Sequence, residues 1–541
     1  MTGNRTSVEH IPGLSATGLM RRFITDPEFA TKLYGAHPSD EAAFDQLAAK
    51  IASRDYPCVE LADILREQNR VWGMSAETEA GITALETGAY CVITGQQAGL
   101  FSGPLYTVYK ALTAVALARE LSTRLEKPVV PVFWIASDDH DLPEIDHAVI
   151  PGPDGTPVTV RYAHSSTPGA RVSRQVFGDD IAEVLNRVES LLPIDAPHRD
   201  WLVDGLHAAY VPGRSWTDAF GMLLSSWLGH TGVVMVSPDD ERLKRLMAGV
   251  FTDEISDPEV SISAIEGREQ TVTAEGYSPQ VVRTETGTLL FLDDESGARK
   301  RIDLHPDGYA LGDRVVSRDE LGRIFAERPG EFSANALLRP VTGDVVFPTL
   351  AHVMGPGETA YMAQSRGLYE RHDVPMPVVV PRARFSVVPR DVSELVESLE
   401  ISLESAFQPV ERLVSLRAEA TQSGDVVNDA RRDISAAWDR LARQIAEVYP
   451  GMNASVMSAH AKTHGLLNHV ERKIHQHARR DVRRAEGADI ERIAGVLYPQ
   501  GSPQERVLAP LRFLVEHGPT WIDEILDAID PFDFDHVVVE G

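Results

Sequence analysis

The segment between residues 91 and 150 constrains the fold most strongly, because two short apolar strands in it each run into a polar loop. "CVITGQQAGLFSGPLYTVYK" predicts a strand, a loop with three glycines, and a helix whose first turn contains Pro104. A second strand, "PVVPVFWIAS", runs into "DDHDLPEIDH", and the order strand, glycine loop, helix returns at residues 345–382. Strands that alternate with helices predict an α/β fold with a doubly wound parallel sheet. Ligands bind beyond the carboxyl ends of such strands, so we expect a site at these loops.

The chain has 541 residues, enough for several structural units. We predict an α/β core over residues 1–389 with insertions at about 151–228 and 255–335, then strand-free helices over 390–490. Residues 491–541 are predicted to form a tail that packs on the core. The helical region has apolar residues at alternating steps of four and three, which is typical of a coiled coil: Ile434, Trp438, Leu441, Ile445 and Val448. Pairing within one chain and pairing between two chains both satisfy this pattern.

Composition excludes several classes of function. The formal net charge of −28 makes bulk affinity for nucleic acid unfavourable. An apolar run of about 18 residues is missing, so we expect no membrane span, and the first residues lack the apolar segment of a signal peptide. Cys58 and Cys91 are the two cysteines, too few for a disulfide framework or a thiolate-rich zinc site. These features favour a cytoplasmic protein.

"TGQQAGLFSGPLY" is the strongest local signal for a ligand. Gly95, Gly99 and Gly103 permit positive φ or close backbone approach, and free N–H groups before a helix attract anions. Gln96 and Gln97 can hydrogen-bond amides, hydroxyls or carboxylates. The loop matches neither the P-loop nor the dinucleotide fingerprint. An ordinary turn between a strand and a helix is the alternative.

"SDDHDLPEIDH" concentrates acids and histidines at the end of the second strand. Asp138, Asp139, His140 and Asp141 could supply a general base or oxygen ligands for a hard cation such as Mg²⁺. We predict no resident metal. The alternative is a loop that caps a short helix with solvated acids.

Three further charged residues lie in motif-like segments. Glu358 in "HVMGPGETAY" would stand at a helix N-terminus, either at a ligand or as a capping acid. Arg339 in "LLRPVTGD" could bind a carboxylate or phosphate, or form a surface ion pair. For Arg506 in "QER" we favour a salt bridge that anchors the tail over a catalytic role.

Taken together, these segments closely resemble the BshC family, the cysteine-adding enzymes of bacillithiol biosynthesis. The resemblance rests on "TGQQAGLFSGPLYTVYKALTAVALA", "PVVPVFWIASDDHDLPEIDH", "GYSPQV", "LLRP", "HVMGPGETAYMAQ", "MPVVVPR" and "LYPQGSPQER", in order over about residues 90–510. It implies a Rossmann-type core related to class I aminoacyl-tRNA synthetases, inserted connecting segments, and a C-terminal coiled coil that forms a homodimer. HIGH-type and KMSKS-type signatures of that superfamily are missing from the sequence.

The implied reaction is a ligation that joins the carboxyl group of L-cysteine to the amine of glucosaminyl-malate, as the last step of bacillithiol synthesis. ATP, with or without Mg²⁺, would be a co-substrate that activates the carboxyl group as an adenylate, and no cofactor is expected to be firmly bound.

The resemblance also implies site residues. Those expected to bind substrate or nucleotide are Thr94, Gln96, Gln97, Gly99, Gly103, Tyr106, Arg339, Gly355, Gly357, Glu358 and Tyr361. His140 is the expected base, with Asp139 and Asp141 as its catalytic neighbours, because a histidine titrates in the useful range. The side chains of Gln97 and His140 should then border one cavity.

Two other functions fit the same residues. One is a metal-assisted hydrolase or deacetylase of a sugar-thiol precursor, which would use the Asp/His cluster. The other is a non-catalytic coiled-coil scaffold whose α/β body binds a nucleotide.

Overall fold

The structure is a computed structural model that describes residues 8–12, 14, 16, 18–153, 155–163, 167–421 and 426–540. The chain packs into two compact units, one of Met1–Ser386 with Gln504–Val539 and one of Val387–Pro503 with Glu540–Gly541. The sequence prediction instead divides the chain after residues 389 and 490. Among the described residues, none of the helices combines the length and the apolar character needed to cross a bilayer.

Strands and helices alternate through most of the first unit. The strands are β1 (Val8–Ile11), β2 (Tyr90–Gln96), β3 (Val129–Ile135), β4 (His147–Pro151), β5 (Pro157–Arg161), β6 (Val234–Val236), β7 (Gly287–Asp293), β8 (Arg299–His305), β9 (Gly308–Leu311), β10 (Arg314–Val316), β11 (Phe332–Ala334), β12 (Thr349–Met354), β13 (Val378–Pro381), β14 (Arg384–Val388) and β15 (His536–Glu540).

The helices of the core and its insertions are α1 (Gly18–Thr25), α2 (Pro27–Tyr34), α3 (Glu41–Ala52), α4 (Cys58–Trp72), α5 (Ala76–Glu86), α6 (Tyr106–Leu125), α7 (Leu142–Ile145), α8 (Ile181–Leu191), α9 (Arg199–Ala209), α10 (Trp216–Leu228), α11 (Glu241–Leu246), α12 (Ala248–Ser256), α13 (Pro258–Ala274), α14 (Arg318–Glu327), α15 (Arg339–Asp344) and α16 (Pro356–Arg371). The remaining helices are α17 (Arg390–Ser398), α18 (Leu403–Ala406), α19 (Val410–Thr421), α20 (Val426–Val448), α21 (Asn453–Leu497), α22 (Gln504–Val507), α23 (Leu511–His517) and α24 (Thr520–Asp527).

A five-stranded parallel sheet in the order β13-β12-β2-β3-β6 forms the centre of the first unit. Its strands are buried over most of their length and are mainly apolar, because helices cover both faces. On β2, Tyr90 and Val92 pack with α3 and α6 on one face, while Cys91 and Ile93 pack in the larger cluster on the other. This alternation follows from the two-residue period of a strand. The predicted α/β fold with a parallel sheet is confirmed.

Antiparallel strands lie in or next to both predicted insertions, and β1 also pairs antiparallel with β15. β4 and β5 pair as a hairpin, which the segment "VIPGPDGTPVTVRY" predicts. A separate five-stranded sheet in the order β10-β9-β8-β7-β11 follows α13. Its strands β7 and β8 come from "GTLLFLDDESGARKRIDLH", where apolar and polar residues alternate as they do in antiparallel strands.

The second unit contains the longest helices. α20 ends at Val448, a short turn covers Pro450–Met452, and the 45-residue α21 returns antiparallel to α20. Arg431 of α20 donates to Glu471 of α21 at 2.8 Å. The hairpin therefore pairs the two arms within one chain.

Candidate ligand-binding site

A cavity of about 460 Å³ lies beyond the carboxyl ends of β2 and β12, in the first unit. Predicted site residues on its wall are Thr94, Gln96, Gln97, Tyr106, Asp139, Arg339, Gly355, Gly357, Glu358 and Tyr361. The position is the one that doubly wound sheets use for ligands. A volume of this size suits a small molecule.

The loop after β2 is held in place by hydrogen bonds at both ends. Thr94 Oγ1 donates to the carbonyl oxygen of Val353 at 2.9 Å, which links the ends of β2 and β12. Gln97 Nε2 donates to Asp139 Oδ2 at 2.8 Å, which links the loop to the one after β3. The two polar loops that the sequence places beside adjacent strands thus share one cavity wall.

Gly99 and Gly103 shape this loop without lining the cavity. Phe101 and Ser102 have φ values of 53° and 75°, and Gly103 has a φ of 69°. A Cβ atom on Gly99 would lie 2.8 Å from the Cα of Gly103, closer than real contacts allow. The turn needs their small size where its own backbone crosses, and their predicted contact with ligand stays a prediction.

Lys110 provides a buried positive charge at the cavity. Its side chain is 3% exposed and forms an ion pair with Glu358. Its Nζ also donates to the carbonyl oxygen of Gly95 at 2.9 Å and to Gln96 Oε1 at 2.8 Å. Burial lowers the pKa of Lys110, and the Glu358 carboxylate partly opposes that shift. Lys110 therefore holds the loop after β2 in place and neutralises the charge of Glu358.

Glu358 occupies the N-terminus of α16. Its Oε2 accepts a hydrogen bond from the backbone N–H of Gly355 at 2.9 Å, as in a capping box. The capping role is confirmed, and the same carboxylate lines the cavity, where its contact with a ligand stays a prediction.

Three arginines add positive charge to the wall. Arg382 forms a buried two-pronged ion pair with Glu505, at 2.8 and 2.6 Å. Arg339 donates to the hydroxyl of Tyr361 at 3.5 Å, and Arg506 is exposed at the rim. In the described part of the chain no carboxylate lies within ion-pairing distance of Arg339 or Arg506. Their charges remain available to an anionic ligand.

The C-terminal tail is anchored by the ion pair of Glu505 with Arg382, and not by Arg506. The prediction that a salt bridge of Arg506 anchors the tail is therefore wrong. Glu505 is buried because its carboxylate is paired, and Arg382 holds its pKa low against the effect of burial.

Asp139 is the member of the acidic motif that faces the cavity. Burial opposes its ionisation, but hydrogen bonds from His140 and Gln97 outweigh burial and hold its pKa below the usual range. Asp138 points the other way, to Lys244 at 2.6 Å and to the buried Arg171 at 3.6 Å. Asp138 is thus a structural acid, while Asp139 presents an ionised oxygen to a ligand.

His140 and Asp141 do not line the cavity, which contradicts the prediction that Gln97 and His140 border it together. The His140 side chain is 42% exposed, and its Nδ1 lies 3.6 Å from Asp139 Oδ1 and 3.3 Å from Arg299 Nη1. Asp141 is exposed at the start of α7. Asp139 takes the cavity side of the loop and leaves both residues outside it.

The sequence analysis missed several wall residues. Lys110, Arg382, Glu144, Gln280, Trp134 and His352 line the cavity. A signal existed for Lys110, which lies one helical turn after Tyr106, and for His352, a polar residue inside the buried strand β12. Within the part of the chain that the structure describes, no group of three His, Cys, Asp or Glu side chains is arranged to hold a metal ion.

Known protein families include profiles that match both units of the chain. The profile of the bacillithiol biosynthesis BshC N-terminal Rossmann-like domain matches residues 6–383, and that of the BshC C-terminal coiled-coil domain matches residues 385–541. The chain belongs to the BshC family. The Rossmann-like core and the C-terminal coiled coil that the resemblance implies are thereby confirmed, while kinship with class I aminoacyl-tRNA synthetases stays a prediction.

Relatives that carry the name "Putative cysteine ligase BshC" align with most of the chain. One from Salinibacter ruber is 31% identical over 512 residues, 93% of this chain and 92% of that protein. One from Koribacter versatilis is 32% identical over 474 residues, covering 86% and 87%. A third, from Chlorobaculum tepidum, is 28% identical and covers 91% and 90%. The alignments thus extend over both units.

Proposed function

We propose that this BshC-family chain is a ligase of bacillithiol biosynthesis that forms the amide bond between L-cysteine and the amine of glucosaminyl-malate. That bond completes bacillithiol, so the step is the last of the pathway. Full-length similarity to proteins named as cysteine ligases supports this proposal. The four cations on the cavity wall support it independently.

The cationic wall is the observation that carries the proposal. Both substrates carry carboxylates: L-cysteine has one, and the malate part of the acceptor has two. Arg339 and Arg506 lack carboxylate partners among the described residues, and a guanidinium binds a carboxylate through two parallel hydrogen bonds. Neutral groups on the same wall, such as Gln96, Gln97 and Tyr106, suit the hydroxyls of a sugar.

Amide formation needs an activated carboxyl group, and ATP is our proposed co-substrate. The cysteine carboxylate would attack the α-phosphorus of ATP and release pyrophosphate. The amine would then attack the carbonyl carbon, the bond between that carbon and the AMP oxygen would break, and the amine would lose a proton. No group in this scheme has to be firmly bound between turnovers.

The direct test incubates the purified chain with L-cysteine, glucosaminyl-malate and ATP and follows the thiol product by mass spectrometry. We expect the amide product together with stoichiometric AMP. Omission of ATP should abolish the product. Acetate release from N-acetylglucosaminyl-malate without ATP would instead support the hydrolase, and binding without any product would support the scaffold.

Arg506→Gln tests the cationic wall. Because Arg506 is free to pair with a substrate carboxylate, we expect its loss to raise the KM for an anionic substrate about 10-fold to 100-fold, the usual weight of a charged hydrogen bond. Arg70→Gln is the matched control, since Arg70 is exposed on α4 and does not line the cavity. Equal KM values for the two variants would contradict a role of Arg506 in binding.

A further inference from the structure

A histidine, an aspartate and a tyrosine form a buried cluster at the cavity wall. His352 Nε2 lies 2.8 Å from Asp344 Oδ2, and the Tyr369 hydroxyl donates to the same oxygen at 2.6 Å. His352 is on the central strand β12, Asp344 ends α15, and Tyr369 is on α16. All three side chains are buried, and His352 lines the cavity.

The cluster fixes the tautomer of the histidine. An ionised carboxylate only accepts hydrogen bonds, so Nε2 of His352 must carry the proton that points at Asp344. In the neutral imidazole, Nδ1 then carries no proton and can accept one. No residue that the structure describes hydrogen-bonds to Nδ1. The side chain therefore combines a fixed ring with a free basic nitrogen at the ligand cavity.

The titratable groups of the neighbouring elements are three tyrosines and a cysteine, which stay neutral near pH 7. Burial raises the pKa of Tyr369 and Tyr361 on α16, of Cys91 on β2, and of Tyr56, the last to about 12. Across the cavity wall, Lys110, Arg339 and Arg382 are cationic and Glu358 and Asp139 are anionic. Among the described residues no lysine or arginine forms an ion pair with Asp344. His352 is thus the group of the cluster that lines the cavity and has a ring nitrogen able to accept a proton.

We propose that His352 is the general base of the ligation and that Asp344 and Tyr369 position it. This inference rests on the proposed function. As the amine nitrogen bonds to the activated carbonyl carbon of cysteine, His352 Nδ1 takes the proton that the nitrogen loses, and the carbon–oxygen bond to AMP breaks. The resulting imidazolium is stabilised by the Asp344 carboxylate, as in catalytic triads.

His140, the base expected from the sequence, is placed less well for this role. It lies outside the cavity wall, and its Nδ1 already faces Asp139 and Arg299. In His352, by contrast, Nε2 pairs with the buried Asp344, and Nδ1 has no hydrogen-bond partner among the residues that the structure describes.

His352→Gln is the principal test, in the full chain with the ligation assay described above. The glutamine amide can still donate to Asp344, so we expect the variant to fold and to keep its KM values. We expect kcat to fall by about 10² to 10⁴, the usual contribution of general acid–base catalysis. The acid limb of the kcat profile against pH should disappear, because that limb reports the base.

Two further variants separate a base from a structural histidine. Asp344→Asn can donate to Nε2 and thereby select the wrong tautomer, so it should lower kcat nearly as much as His352→Gln while leaving KM unchanged. Tyr309→Phe is the matched control, because it also removes a buried tyrosine hydrogen bond, the one to the carbonyl oxygen of Ile255, but Tyr309 does not line the cavity, and its kcat should equal that of the unaltered chain.

The outcomes distinguish this inference from the proposed function. A chain without ligase activity in its unaltered form would overturn the function and the base together. Ligase activity that survives in His352→Gln, or falls with an unchanged acid limb, would overturn the base alone. Unfolding of His352→Gln, detected by circular dichroism, would shift the decision to Asp344→Asn, whose unaltered kcat would overturn the inference.

Discussion

His536 illustrates at the scale of a single residue how burial controls charge in this protein. The side chain is 1% exposed, and its Nε2 lies 3.0 Å from the hydroxyl oxygen of Ser386. Burial lowers the pKa of His536 to about 4, although the Glu505 carboxylate opposes that shift. The folded chain therefore holds this imidazole neutral at any pH above about 4.

A dependence of stability on pH follows. The unfolded chain binds a proton at His536 below about pH 6.5, while the folded chain binds it only below about pH 4, so acid favours unfolding in that interval. Near pH 5 this difference in proton binding lowers the free energy of unfolding by about 2 kcal/mol. Urea unfolding measures this effect. Between about pH 7.5 and pH 5, the free energy of unfolding should fall by about 2 kcal/mol less in His536→Gln than in the unaltered chain. His207→Gln, at an exposed position, serves as the control, and an equal loss in all three proteins would contradict the prediction.

At the scale of the secondary-structure element, the turn between β2 and α6 depends on Gly99. A methyl group there meets the backbone of Gly103, which cannot move aside as a side chain could. We expect Gly99→Ala to destabilise the fold by about 1–3 kcal/mol, the usual cost of overpacking, and to raise KM by displacing Gln96 and Gln97.

Gly322→Ala is the control for this turn. Gly322 lies in α14, and nothing is within 4 Å of the position that its Cβ would take. Alanine favours a helix over glycine, so this variant should be neutral or more stable by up to about 1 kcal/mol. Thermal unfolding measures both variants. A stability of Gly99→Ala equal to that of Gly322→Ala would show that the turn relaxes freely.

Elements were more predictable from the sequence than the partners of individual side chains. The strands β2 and β12 and the hairpin β4–β5 follow from apolar runs and turn residues, because those signals are local. The direction in which the His140 side chain points depends on a residue distant in sequence. Gln97 hydrogen-bonds to Asp139, and this places Asp139, not His140, on the cavity side of the loop. Likewise His352 acquires its role from Asp344 and Tyr369, which lie on two other elements.

At the scale of the whole molecule, the coiled-coil hairpin leaves much of its apolar surface uncovered. Leu466 is 69% exposed, Val470 49%, Ile474 41% and Leu441 39%. Leu466, Val470 and Ile474 recur every four residues along α21, and Leu441 lies on α20, which gives a stripe that a partner helix can cover. We propose a second copy of the chain as the partner, because a coiled-coil seam that is only half covered within one hairpin can be completed by an equivalent hairpin.

Leu466→Glu together with Val470→Glu would place two charges in this stripe on each chain. If two hairpins pair through it, the variant should be monomeric in size-exclusion chromatography with light scattering, while the unaltered chain is a dimer. The paired stripe would then bury four carboxylates, and their desolvation would weaken association by about 2–4 kcal/mol or more. Gln444→Glu together with Gln476→Glu adds the same charge at exposed polar positions and should remain dimeric. A monomeric unaltered chain, or a dimer in both variants, would contradict this arrangement.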